Sequence, residues 1–268
     1  MTASPSQAVD SVVRLERQDA IGIITLARAD ALNAVNDAIR LGLVAACVEA
    51  ASDSTIAVVI IRAEGGRSFC VGADIKEQRA PLSPAETRSP PADRDYTTAI
   101  AAMSKPVVCA IDGFCLGAGL EIALACDVRI AAKGSSFGLP EVNLGLIPGA
   151  GGTQRLPRLI GLGRALDMML SGERISVEKA LEYGLITRIA KNKADLDAAT
   201  LSVARSLAAK PPLAVQFLKE AVIDGLDGPL AVGLSRERDL FTFLLGTEDR
   251  FEAAEAFKTK RTPKFTGR

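Results

Sequence analysis

The chain has 268 residues, 48% of them hydrophobic, enough for one large domain or a core with an appendage; disorder is excluded as the default. Lysine plus arginine equals aspartate plus glutamate at 32 each, so no net field favours nucleic acid or an acidic membrane surface. Histidine is absent, which excludes Ser–His–Asp and Cys–His catalysis and removes the commonest zinc ligand, leaving acid–base chemistry to carboxylates, lysines, thiols, Tyr96 and Tyr183.

The opening MTASPSQAVD has no basic cluster before an apolar run and is poor in arginine, so neither a secretory signal nor a transit peptide is expected in it. Residues 21–26 (IGIITL) are short and β-branched and predict a strand. Residues 36–51 carry Ile39, Leu43, Ala46, Cys47 and Ala50 at helical spacing. Residues 56–61 (IAVVII) form an unbroken apolar run, the mark of a strand covered on both faces. SFCVGADIKE then predicts a turn leading into a helix. Residues 80–95 hold four prolines and several charges and predict a surface loop, either a tolerated insertion or a cover for a site. A helix is expected over 96–103, a buried strand over 107–111, a helix over 117–126 and a strand over 128–131. This alternation predicts an α/β fold for the front two thirds.

The apolar stretch 107–126 invites a membrane reading, but Asp112, Glu121 and three glycines interrupt it. From about residue 195 the pattern turns helical, with helices expected over 198–209, 212–224, 229–245 and 249–260. The expected division is a catalytic core over 1–195 and a helical region over 196–268. Five scattered cysteines without a C-x-x-C pair predict reduced, buried thiols in a cytosolic protein.

Two lone acids stand out. Glu121 lies inside FCLGAGLEIALACD, and Glu141 inside FGLPEVNLGLIPGAGGTQRL. Three glycine-containing bends, GADIK, GAGLE and PGAGGT, accompany them. Glycine lets backbone turn sharply and approach a ligand, and a helix N-terminus offers unpaired N–H groups to an oxyanion. None of these bends is a dinucleotide or phosphate-loop fingerprint: GAGLE breaks the G-x-G-x-x-G pattern, and no G-K-[ST] follows PGAGGT. Taken singly, a glutamate in an apolar helix is more often a first-turn charge or half of a buried ion pair. Asp74 and Lys76 read equally well as ordinary first-turn charges, and Lys260 as part of a solvated KTKR tail.

FCVGADIKE, DGFCLGAGLEIALACDVRIAA and FGLPEVNLGLIPGAGGTQRLPRLIG together resemble the crotonase superfamily, the enoyl-CoA hydratase/isomerase group, with similarity from about residue 12 to the C-terminus. The resemblance implies the ClpP/crotonase fold, a spiral of ββα units followed by a helical C-terminal region that builds homotrimers, commonly stacked as a dimer of trimers. It implies that the N–H groups of Ala73 and Ala118 grip a thioester oxygen. Glycine is frequent at the second of these positions, and alanine there needs a permitted φ. Glu121 and Glu141, 20 positions apart as in the hydratases, match the pair that holds a water. Ala73, Asp74, Ile75, Lys76 and Gly117 match the coenzyme A path, and Phe257 and Lys260 match residues that reach the CoA of an adjacent subunit.

The implied activity is that of a 2-enoyl-CoA hydratase, a lyase adding water across the trans-2 double bond to give 3-hydroxyacyl-CoA. Fatty-acid β-oxidation in the cytoplasm is the implied setting. The implied partners are an acyl-CoA substrate and copies of the chain itself, with no nucleic acid, membrane, metal or cofactor beyond the CoA carried by substrate. Glu121 is expected to deprotonate water and Glu141 to protonate Cα, with the reverse assignment open. The alternatives are a methylglutaconyl-CoA hydratase, a Δ3–Δ2 enoyl-CoA isomerase, or a non-catalytic CoA-binding protein on the same fold. The first helix, IRLGLVAACVEAAS, has no lysine, which disfavours the RNA binding associated with the methylglutaconyl relative.

Overall fold

Pairs of strands, each followed along the chain by a helix, build the front of the molecule. The computed structural model describes residues 11–77 and 92–268. Strand β1 (Val13–Gln18) pairs antiparallel with β2 (Ile21–Leu26). Helix α1 (Asp37–Ser52) follows, capped by the Asn36 side chain, which accepts from the Ile39 N–H. Then β3 (Val58–Ala63) leads into the short β4 (Ser68–Cys70), β5 (Val107–Ile111) into β6 (Phe114–Leu116), and β7 (Val128–Ala132) into β8 (Ser136–Gly138). The first strand of each pair joins a six-stranded sheet, ordered β1-β2-β3-β5-β7-β10, where β10 is Arg188–Ala190. The second strand joins a four-stranded sheet, ordered β4-β6-β8-β9, where β9 is Ile175–Ser176. Helices α2 (Tyr96–Ala101), α3 (Ala118–Ala125) and α4 (Gly152–Ile160) leave from the ends of these steps.

The unbroken apolar strands are explained by cover on both faces. Val59 and Ile61 of β3, with Val107, Cys109 and Ile111 of β5, face the main core under α1 and α3. Their neighbours Val58, Ile60, Val108 and Ala110 face a second core closed by helix α7 (Lys193–Ala208), through Leu196 and Ala204. The expected boundary at 195/196 therefore cuts through a helix that belongs to the sheet, because burying the far sheet face requires it.

The run 107–126 divides into β5, β6 and α3, and among the described residues no helix is long and apolar enough to cross a membrane. The five cysteines are buried and free. The helix expected after GADIK and most of the proline-rich stretch lie outside the described residues.

Helices α5 (Leu162–Ser171) and α6 (Val177–Glu182) return the chain to the sheet. Helices α8 (Pro212–Leu226) and α9 (Leu230–Leu245) pack on each other, with the Phe217 and Phe243 rings edge to face at 5.4 Å. Lys219 ties α8 to the core through Asp127, 2.8 Å away. Helix α10 (Glu248–Thr259) is followed by a tail whose Thr266 and Gly267 N–H groups donate to Asp249. In this chain, Leu218, Leu226, Leu230, Val232, Phe241 and Phe243 of α8 and α9 are exposed.

Candidate active site

Every residue of α3 (AGLEIALA) is buried, Glu121 included, at 2% exposure. Arg129, also buried, holds the end of this helix by donating to the carbonyls of Ala123 and Cys126. A carboxylate so deep requires donors. Glu121 Oε1 accepts the Ala150 N–H at 2.7 Å and the Gly152 N–H at 2.9 Å. Gly152 opens α4, so the N–H groups that the PGAGGT bend offers at this helix N-terminus are taken up by the Glu121 carboxyl. Burial pushes the Glu121 carboxyl up from the ordinary range, while the two N–H groups and the charge of Arg155 pull it back.

Glu141 sits in a 3₁₀ turn (Pro140–Leu144) after β8. Its Oε1 lies against Gly117: a methyl built on that glycine would be 3.1 Å from the oxygen. Its Oε2 is buried and accepts no hydrogen bond from a described residue. Burial pushes the Glu141 carboxyl up, its own backbone N–H pulls it back, and the nearby charge of Glu121 pushes it up again. The two glutamates thus share one site but differ in support, one doubly hydrogen-bonded and one with an unpartnered oxygen.

Both line a cleft of about 1290 Å³ with Ala73 and Ala118. Gly72 accepts the Val35 N–H at 2.8 Å, and Asp74 donates to the Val35 carbonyl at 3.0 Å. Extended backbone alternates its polar groups, so the N–H of Ala73, between them, points away from Val35. Ala118 is the first residue of α3, and its N–H has no acceptor within the helix. It is not among the positive-φ residues, so its methyl causes no strain. The turns bearing Ala73 and Ala118 run side by side: a methyl on Gly72 would lie 3.9 Å from the Ala118 nitrogen.

The remaining positions divide. Asp74 is committed to the turn: it pairs with Arg28 at 2.6 Å and accepts the Lys76 N–H at 3.0 Å, contacts that hold its carboxyl below the usual range. Ile75, 79% exposed, and Lys76 sit at the rim of the cleft. Gly117 (φ 52°, ψ −126°) adopts a backbone that L side chains rarely reach. Phe257, 87% exposed, and Lys260 lie at the end of α10 and do not line this chain's cleft. Arg28 and Arg155 also line the cleft, and no sequence motif pointed to either. Tyr96, whose phenol the composition left among the candidate acid–base groups, lines it together with Thr97, both buried on α2.

The profile of the enoyl-CoA hydratase/isomerase family matches residues 16–268. The chain belongs to that family. It is 41% identical to the 2,3-dehydroadipyl-CoA hydratase of Escherichia coli (strain K12) over 254 residues, covering 95% of this chain and 98% of the relative. It is 38% identical to the (E)-benzylidenesuccinyl-CoA hydratase of Thauera aromatica over 257 residues, 95% of this chain and 99% of the relative. The crystal structure of an enoyl-CoA hydratase from Bacillus anthracis superposes with a TM-score of 0.90 at 37% identity, over 96% of this chain and all of that one. The fold of this family member is the ββα spiral with C-terminal helices that the resemblance implies.

Proposed function

We propose that the chain is a 2-enoyl-CoA hydratase, with Glu121 as the base and Glu141 as the acid. The observation that carries this reading is the unequal support of two carboxyls on one cleft that Ala73 and Ala118 also line. The thioester oxygen sits between the N–H groups of Ala73 and Ala118. Glu121, held by two donors, takes a proton from water as its oxygen attacks Cβ. The C=C π pair moves toward the thioester, and negative charge grows on the oxygen facing the two N–H groups. Donors aimed at that charge bind the enolate more tightly than the ground state, and each contributes about 3–4 kcal/mol to lowering such a barrier. Glu141, whose carboxyl burial and the charge of Glu121 push upward, gives its proton to Cα. One water is added; exchange with solvent returns the proton from Glu121 to Glu141.

An isomerase needs one acid and no water, so two carboxyls on one cleft favour hydration. CoA is carried in by the substrate, and no resident cofactor takes part. Asp74 shapes the CoA-binding turn, with Ala73, Ile75, Lys76 and Gly117 along the CoA path. The exposed apolar side chains of α8 and α9 fit a homotrimer, stacked in pairs, in which Phe257 and Lys260 reach a neighbour's CoA. The proposed setting is cytoplasmic fatty-acyl metabolism. The test is loss of the enoyl-thioester absorbance after mixing with crotonyl-CoA and a series of longer, branched and dicarboxylic enoyl-CoAs, methylglutaconyl-CoA among them. No decay with any member would end the hydratase reading.

A further inference from the structure

Ala150 uses both of its backbone polar groups at the site. Its N–H donates to Glu121 Oε1 at 2.7 Å, and its carbonyl accepts from Arg155 Nη1 at 3.1 Å. One residue therefore links a buried carboxylate to a guanidinium. Arg155 reaches this position by lying across Gly151: a methyl there would be 2.0 Å from Nη1, and the glycine has φ +100°. Arg155 belongs to the first turn of α4, where the helix dipole disfavours a cation. No carboxylate of a described residue is within ion-pair distance of it to repay that placement.

We propose that Arg155 is a positioning residue for Glu121: it fixes the turn at residues 150–152 so that the Ala150 and Gly152 N–H groups converge on the Glu121 carboxylate. The inference rests on the hydratase reading for its kinetic consequence and not for its structural one. The two N–H groups come from different residues of a glycine-rich turn, which would sample other conformations without a brace. Hydrogen-bond donors and charge that favour the ionised form of Glu121 act together here, since the Arg155 charge also pulls the Glu121 carboxyl down. The other groups facing Glu121 are Glu141 and the buried phenol of Tyr96, and neither offers a positive charge.

The test compares Arg155→Met and Arg155→Lys with the parent, in two readings. In protein carrying ¹³C-labelled glutamate, the Glu121 carboxyl signal is identified by its loss in Glu121→Gln and titrated by NMR. Under the proposal its midpoint moves up in Arg155→Met and part of the way in Arg155→Lys. In steady-state kinetics with crotonyl-CoA, kcat falls between about 10- and 100-fold in Arg155→Met, the scale of a misplaced catalytic group, while KM stays near the parental value. A parental midpoint and a parental kcat in Arg155→Met overturn the proposal. If Arg155→Met does not fold, Arg155→Lys alone decides: intermediate values support the brace and parental values overturn it. A parent that hydrates no enoyl-CoA sinks the hydratase reading, and the NMR titration still judges Arg155.

Discussion

Glu141 Oε1 packs against Gly117, the residue that caps the helix carrying Glu121. The first acid is thus seated on the backbone that launches the second. Gly117→Ala would place a methyl 3.1 Å from that oxygen and 3.3 Å from the Gly72 Cα, in a backbone conformation closed to alanine. Stability is expected to fall by about 1–3 kcal/mol, the usual cost of such a strained residue. Turnover falls further, because Glu141 must shift. Urea titration beside kinetics checks this, and a variant with parental kcat would contradict the packing.

Glu121→Gln and Glu141→Gln each remove a proposed proton-transfer group and keep its volume. Each is expected to slow crotonyl-CoA hydration by roughly 10²–10⁴-fold. Binding of a CoA ligand, measured by calorimetry, changes little. Near-parental turnover in either variant means that its acid is not catalytic.

The pH profile of kcat/KM should be bell-shaped. With the proposed roles, activity needs Glu121 ionised and fails as pH falls through that carboxyl, which burial pushes above the ordinary glutamate value of 4.5. With the same roles it needs Glu141 protonated and fails again as pH rises through the second carboxyl, which burial and the charge of Glu121 both push upward. A profile flat across the acidic and neutral range would contradict the assignment.

Lys219 joins α8 to the core through Asp127 at 2.8 Å and the Lys105 carbonyl at 3.2 Å. Lys219→Met breaks a pair whose side chains are 10% and 24% exposed, so solvent screens it only in part. Asp127 keeps the Val107 N–H at 2.7 Å. A loss of about 1–3 kcal/mol is expected from chemical unfolding, as for a charged hydrogen bond in a half-buried setting. A midpoint equal to the parent's would mean that α8 is held by apolar packing alone.

If the proposed homotrimer forms through the apolar side chains of α8 and α9, the particle in solution holds three chains, or six when trimers stack. Sedimentation or native mass measurement reads this directly. Replacing Phe241 and Leu230, both exposed in the single chain, by Glu should yield smaller particles. A monomeric parent would remove the case for a shared site.

Long apolar features were legible in the sequence. The β5 expectation over 107–111 coincides with the strand, and the α1 pattern gives the five buried side chains found. The second sheet was not legible: β4, β6 and β8 have three residues each, too few for periodicity, and exist because each finds parallel partners far along the chain. The site divides likewise. The two glutamates and the glycine-rich bend PGAGGT stood out by residue type, whereas the pairing of the Glu121 carboxyl with the N–H groups of that bend depends on α3 meeting α4, which no local pattern encodes. Arg155 was hidden because an arginine in a helix normally reads as a solvated charge.

Because α3 is buried along its whole length, Glu121 cannot be released without opening the protein's interior. Heat or denaturant should therefore abolish turnover and melt the near-native fold at the same midpoint, with no folded but disarmed species between. Directed changes that harden this interior would extend the working temperature of the reaction by the same increment.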